Sequence, residues 1–229
     1  MQGILLVDKP SGWTSFDVVN YVRRIVAKHE GKKPKNTKVG HTGTLDPLAT
    51  GLLVLLVGKE YTRKATELTK LDKTYEVTMK LGLTSTTGDE EGEKTTVSDV
   101  VPTEMVIVAA LAQFEGEIMQ VPPAFSAMKI NGQRAYKLAR EGKSVELEAR
   151  PVQIYKNMFV GYDYPYVKFT SDVGSGTYIR SLVEDLGKAL GTGAYMSDLR
   201  RTKVGKYDIV SAVSVEGLDE AKIAAALQS

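Results

Sequence analysis

Gly40-His41-Thr42-Gly43-Thr44-Leu45-Asp46-Pro47-Leu48-Ala49-Thr50-Gly51, followed at once by Leu52-Leu53-Val54-Leu55-Leu56-Val57, is the stretch on which the reading of this chain turns. Gly40, Gly43 and Gly51 allow sharp turns and a close approach of the backbone to a ligand. Asp46 precedes a proline, which steers it away from helical angles and toward an extended, rigid presentation. An isolated Asp-Pro is most simply a turn in a surface loop. Here apolar Leu45 and Leu48 flank it, His41 is close by, and the run from Leu52 to Val57 reads as a buried strand.

Upstream, Phe16, Val19, Val22 and Val26 recur at helical spacing behind Thr14 and Ser15, so a helix is expected to begin near residue 15. Lys28, Lys32, Lys33, Lys35 and Lys38 follow, broken by Gly31, Pro34 and Asn36. Downstream, Lys73 to Leu81 alternates as a strand, with Tyr75, Val77, Met79 and Leu81 on one face. Thr84 to Gly92 reads as a polar loop, and Thr103 to Phe114 as a capped helix burying Ile107, Leu111 and Phe114. Asn131-Gly132 is a hairpin signal, and Tyr136 to Arg140 a short helix closed by Gly142. Strands are expected at Val152–Tyr155 and Val167–Val173, and a helix from Thr177 to Leu190 that stops at Gly191. Helices and strands mix without a strict βαβ alternation, which predicts an α+β fold.

Composition narrows the chemistry. In 229 residues there is no cysteine, which removes disulfides, thiolate metal sites and a cysteine nucleophile. His29 and His41 are the only histidines, so a His-rich metal site is not expected. A formal net charge of +2 does not announce a nucleic-acid partner, so any basic surface must be local. The apolar run Ile4 to Val7 stops at Asp8-Lys9, too short for a signal peptide, and no run approaches the roughly 20 residues of a membrane span. A cytoplasmic protein is expected. Gly51 to Lys59 has the wrong spacing for a phosphate-binding loop, and Gly174-Ser175-Gly176 lacks the third glycine of a dinucleotide fingerprint.

Three further residues invite two readings each. Arg180 falls in the first turn of its predicted helix, where the macrodipole disfavours a cation. Glu184, one turn on, and Asp46 are equally open as its anionic partner. Tyr75 and Tyr178 are either core tyrosines or platforms on which a nucleobase stacks. The lysines of 28–38, with Arg200, Arg201, Lys203 and Lys206, are most simply solvated charge, although two basic clusters would also suit a folded RNA.

Several segments in order resemble the TruB family, the bacterial synthases that convert uridine 55 in the T-loop of tRNA to pseudouridine. They are Gly3 to Pro10, Lys38 to Gly51, Lys73-Thr74-Tyr75, Gln120 to Pro123, Gly176 to Arg180 and Leu199-Arg200-Arg201. The resemblance implies a pseudouridine synthase fold: a mixed, mainly antiparallel sheet flanked by helices, with a central cleft. It implies that Asp46 is the nucleophile and Arg180 its ion-pair partner. Tyr75 would stack on the flipped uracil, His41 would help wedge the T-loop open, and Tyr178 and Leu199 would line the base pocket. It implies no cofactor, no metal and a monomer acting on the T-arm of tRNA. Residues 1–229 are expected to form one catalytic domain with a thumb-like insertion at about 120–150. The small C-terminal RNA-binding domain usual in the family is expected to be absent, with catalysis retained and tRNA affinity weakened. A tRNA-binding or tRNA-folding module, and the same fold acting on another RNA uridine, are the rival readings.

Overall fold

The computed structural model describes residues 1–126, 128–130, 132–141 and 147–229. In chain order its elements are β1 (Gly3–Lys9), α1 (Ser15–His29), β2 (Val39–His41), β3 (Thr50–Val57), α2 (Lys59–Thr62), α3 (Ala65–Thr69) and β4 (Lys73–Leu81). There follow β5 (Leu83–Ser85), β6 (Lys94–Thr96), α4 (Glu104–Gln113), β7 (Gly116–Gln120), β8 (Lys129–Ile130), β9 (Gln133–Arg134) and α5 (Ala135–Arg140). The chain closes with β10 (Arg150–Asp163), β11 (Tyr166–Val173), α6 (Ile179–Ala189), β12 (Ala194–Val204), β13 (Tyr207–Asp208), β14 (Val213–Ser214) and α7 (Glu220–Ala226). Two compact units contain them: Met1–Tyr75 with Leu199–Ser229, and Glu76–Asp198.

The first unit is built on β1 and β3, paired antiparallel from Gly3↔Val57 to Lys9↔Gly51. β14 joins β1 in parallel, while β3 takes β2 antiparallel and β12 in parallel. Both faces of the β1–β3 pair are covered. Leu5, Val7, Leu53, Leu55 and Val57 pack with Val18, Val19, Val22 and Val26 of α1 and with Ile223 of α7. Ile4, Leu6, Leu52, Val54 and Leu56 pack with Val204 and Tyr207, flanked by Tyr61, Leu68 and Leu71. A strand buried on both sides needs no polar alternation, which is why Leu52 to Val57 is apolar throughout.

α1 begins where the hydroxyls predicted it. Thr14 and Asp17 form a reciprocal capping box that satisfies two backbone donors. One face assignment changes: Phe16 is 58% exposed, and Val18, fully buried, takes the core position. The heptad-like spacing from Phe16 to Val26 holds either residue, and only the packed partner decides which faces inward.

In the second unit β10 pairs antiparallel with β11 and β7. α4 packs on β10 and touches α6. Asn157 of β10 links α4 and β11 to its strand, its Nδ2 donating to the carbonyl of Leu111 (3.1 Å) while its Oδ1 accepts from Ser171 Oγ (2.7 Å). Tyr75 of β4 in the first unit, and Val77, Met79 and Leu81 of β4 in the second, are buried, as the alternation predicted. The expected polar loop 84–92 is found from residue 86 as the connection of a hairpin, Thr84 and Ser85 belonging to β5, which pairs with β6 from Leu83↔Thr96 to Ser85↔Lys94. β8 and β9 flank the Asn131-Gly132 signal and pair as Ile130↔Gln133; Asn131 itself and Gly142 lie outside the described residues. β10 extends well past the predicted Tyr155, and β7 and β12 carried no readable pattern. The architecture is α+β with mixed strand pairing, as the sequence implied. Among the described residues no helix is long and apolar enough to cross a membrane.

Candidate active site

Asp46 sits on a loop between β2 and β3 that is fastened from several directions, all within the first unit. Ser15, buried at the start of α1, donates through Oγ to the carbonyl of Leu45 (3.0 Å) and accepts from the Leu45 amide (2.8 Å). Gly12 N donates to Pro47 O (2.9 Å), Ser11 Oγ to Leu48 O (3.3 Å) and Ala49 N to Asp46 O (3.1 Å). The backbone on both sides of Asp46 is therefore fixed by bonds to residues far away in sequence, so its half-buried carboxylate is presented in one place.

Two buried cations lie beneath this loop. Lys9, at the end of β1, is fully buried and its Nζ donates to the carbonyls of Pro10 (2.9 Å), Trp13 (2.6 Å) and Pro47 (3.3 Å). Burial lowers its pKa to about 8; the negative charge of Asp46 opposes that shift, so the ammonium and the carboxylate attract. Arg201 of β12 is 2% exposed, its Nε donating to Leu52 O (2.8 Å) and its Nη2 to Gly43 O (3.1 Å). It thus bridges the glycine-rich loop to β3. Gly51 makes this possible: it holds φ +100°, and a Cβ there would lie 2.3 Å from Arg201 O.

His41, at the end of β2, has its pKa lowered by burial and by the charge of Arg201, against a smaller opposing effect of the Gly43 backbone. It is therefore neutral at pH 7, and its Nδ1 is buried without a hydrogen-bond partner among the described residues. Tyr75 is 7% exposed, as is Leu199, whose carbonyl accepts from Thr50 Oγ1 (3.5 Å). The structure gathers His41, Asp46, Tyr75 and Leu199 into the first unit; Tyr178 and Arg180 belong to the second.

There, Arg180 opens α6 and is buried. Its Nη1 donates to Thr87 O (3.1 Å), its Nη2 to Phe125 O (2.8 Å), and Nη1 lies 3.7 Å from Asp89 Oδ2. Asp89 is also buried and is held by Thr87 Oγ1 and the Glu91 amide. These contacts answer the macrodipole's objection to a cation at this helix end. Glu184, read from sequence as a solvated partner, is half-buried and its pKa is raised, chiefly by burial. Tyr178 is the N-cap of α6, and Gln120, 1% exposed, grips its backbone both ways: Oε1 accepts from Tyr178 N (2.8 Å) and Nε2 donates to Tyr178 O (3.1 Å).

The chain matches the model of the TruB family pseudouridylate synthase N-terminal domain over residues 31–179. It also matches that of the tRNA pseudouridylate synthase B C-terminal domain over 180–228. The chain belongs to the TruB family. Among its relatives, the tRNA pseudouridine synthase B of Burkholderia mallei (strain NCTC 10247) is 46% identical over 221 residues, covering 96% of this chain and 70% of the relative. The enzyme of the same name from Clostridium acetobutylicum is 44% identical over 223 residues, covering 97% and 74%. Among solved structures, a Cbf5-Nop10-Gar1 complex matches with a TM-score of 0.72 at 30% identity, over 99% of this chain and 59% of that one. An archaeal box H/ACA sRNP Nop10-Cbf5 complex matches with a TM-score of 0.66 at 30% identity, over 93% and 51%.

Within this TruB-family chain, sequence reasoning missed Lys9, Ser15, Arg201, Asp89 and Gln120 as supports of the candidate residues. It read Arg200 and Arg201 as solvated charge. In fact Arg201 is buried, and Arg200 is bound to Asp8 through Nη1 to Oδ1 (3.1 Å) and Nη2 to Oδ2 (2.7 Å). A charged side chain carries no local signal of burial; only the carbonyls that fold around it do.

Proposed function

We propose that this protein isomerises uridine 55 in the T-loop of tRNA to pseudouridine, with Asp46 as nucleophile. The observation that carries the reading is the coincidence of family membership with a single carboxylate held on a loop immobilised through Leu45, Pro47 and Leu48. Such fixation is what a nucleophile needs, because misplacement by about 1 Å can slow a reaction about 100-fold.

In this reading the target uridine leaves the RNA stack and stacks on Tyr75, with Tyr178 and Leu199 as walls of the base pocket. His41, neutral at pH 7, helps hold the T-loop open. Ionised Asp46 either attacks ribose C1′ or removes the C2′ proton to give a glycal. The glycosidic C1′–N1 bond breaks, the uracil rotates, and C5 bonds to C1′. The C5 proton is then lost and N1 gains one, so product and substrate are isomers. Arg180 is the proposed ion-pair partner of Asp46, a role carried by the family resemblance; its guanidinium is held in place by Thr87, Phe125 and Asp89. Lys9 adds a second positive charge attracted to Asp46. The reading further takes the protein as a cytoplasmic monomer whose catalytic domain carries a thumb-like insertion at about 120–150.

The test incubates the protein with an unmodified tRNA transcript and maps pseudouridine by carbodiimide chemistry. Product at the T-loop position, lost in Asp46→Asn, is expected. Equal product in that variant would overturn the nucleophile, and product at a different uridine would overturn the target.

A further inference from the structure

Several cations of the first unit already have acidic or carbonyl partners. Lys28 and Lys32 lie 4.0 and 2.8 Å from Glu220 and Glu30, Lys203 lies 3.6 Å from Asp208, and Arg200 is bound to Asp8. Lys9 and Arg201 are buried on carbonyls. Of the exposed first-unit cations that make no ion pair among the described residues (Arg24, Lys64, Lys70, Lys206 and Lys222 are others), Lys33, Lys35, Lys38, Lys59 and Arg63 stand out by their placement.

These five come from separate parts of the sequence yet share one surface. Lys33 and Lys35 stand on the 3-10 turn at Pro34–Asn36, closed by Asn36 N donating to Lys33 O (2.9 Å) and packed against α1. Lys38 immediately precedes β2, and its carbonyl accepts from Gly58 N (2.8 Å), which places Lys59 beside it. Arg63 caps α2, and α2 packs on both β2 and β3. Glu60 is the one acid between Lys59 and Arg63. The strip therefore keeps a strong positive excess in a chain whose total is only +2. It also points somewhere: β2 runs from beside Lys38 to His41, about 10 Å at the rise of a strand.

We infer that this strip is a phosphate track, a subsite that binds the sugar-phosphate backbone of the RNA strand flanking the target uridine. It rests on the proposed reading that the substrate is a folded RNA. Unpaired exposed cations contribute little to stability, whereas each that neutralises a phosphate releases a counterion and steepens the salt dependence of binding. The strip contacts no reacting atom, so it acts on substrate capture and not on the chemical step.

The experiment compares wild type with the combined variant Lys33→Gln, Lys35→Gln, Lys38→Gln, Lys59→Gln. Isomerisation is followed by tritium release from tRNA labelled at uridine C5, and binding by fluorescence anisotropy of a labelled T-arm hairpin, both across a KCl series. Removing four phosphate contacts should flatten the slope of log affinity against log salt by about 3. The same change is expected in kcat/KM, with KM raised at least about 10-fold at low salt, kcat at saturation unchanged and the melting temperature unchanged. A control variant, Lys156→Gln, Lys168→Gln, Lys188→Gln, Lys222→Gln, removes as much charge elsewhere and should leave most of the slope intact. An unchanged slope in the strip variant, or an equal loss in the control, overturns the track. Absence of tritium release by wild type defeats the proposed function instead, and the anisotropy slopes still decide the track.

Discussion

Replacing Ser15 with alanine tests whether the loop that carries Asp46 is held where the structure places it. The substitution deletes one hydroxyl and two hydrogen bonds, at 2.8 and 3.0 Å, from the amide and carbonyl of Leu45. Leu45 is 3% exposed and Ser15 2%, so water does not readily replace the lost oxygen. Each buried backbone group left without a partner costs about 1–3 kcal/mol, and partial relaxation of the loop sets the pair at about 2–4 kcal/mol. In a chain of this length that lowers the melting temperature by roughly 4–16 °C while leaving a folded protein. The relaxation moves Leu45, and Asp46 with it, so kcat for tritium release should fall by about 10- to 100-fold, with KM little changed. Calorimetry and saturation kinetics on one preparation give both numbers. Ser181→Ala, which removes a single bond to Val121 O in the second unit, should lower stability less. If Ser15→Ala melts within about 2 °C of wild type and turns over within twofold, the clamp does not hold the loop. A large loss of stability with intact kcat would show that Leu45 is held but that Asp46 is positioned by something else.

Gly51→Ala sets a methyl 2.3 Å from Arg201 O at a φ of +100°, so β3 and β12 must separate. A loss of about 3 kcal/mol or more is expected in urea denaturation, and wild-type stability would count against the close strand contact. Lys9 has its pKa lowered to about 8 from 10.5, so between those values the unfolded chain binds more protons than the fold. Its unfavourable contribution to stability, present in full below pH 8, is therefore relieved as pH rises toward 10.5. The stability of wild type minus that of Lys9→Met should accordingly increase from pH 7.5 to 10; a flat difference would refute the burial of this ammonium. Phe16→Ala should shift stability by less than about 1 kcal/mol, whereas Val18→Ala, at a fully buried site, should cost about 2 kcal/mol. The reverse order would restore Phe16 to the core.

The strongest elements were legible because they obey a local period or carry a terminal signal. The apolar run at Leu52–Val57, the alternation of Lys73–Leu81 and the hydroxyl-capped starts of α1 and α4 each express one structure within a few residues. β12 did not: its Arg200 and Arg201 alternate between an exposed-side ion pair with Asp8 and a buried seat on Leu52 and Gly43, which no hydropathy pattern describes. α4 was found but its outward face was not, since Met105, Val106 and Val108 are exposed although apolar.

The candidate site divides in the same way. The ordered motifs of the sequence were enough to single out Asp46, His41, Tyr75, Tyr178, Arg180 and Leu199, because those residue types at those places carry the family resemblance. What fixes them came from tertiary structure alone. Ser15 reaches Leu45 across 30 residues, Gln120 reaches Tyr178 across 58, and Arg201 reaches Gly43 across 158. A hydrogen bond needs its two atoms within about 3 Å, and a sequence records neither that distance nor the loss of water that gives the bond its worth. The sequence by itself determined which groups are available for chemistry; the fold decided which of them are buried, which are bound, and which are left facing a partner.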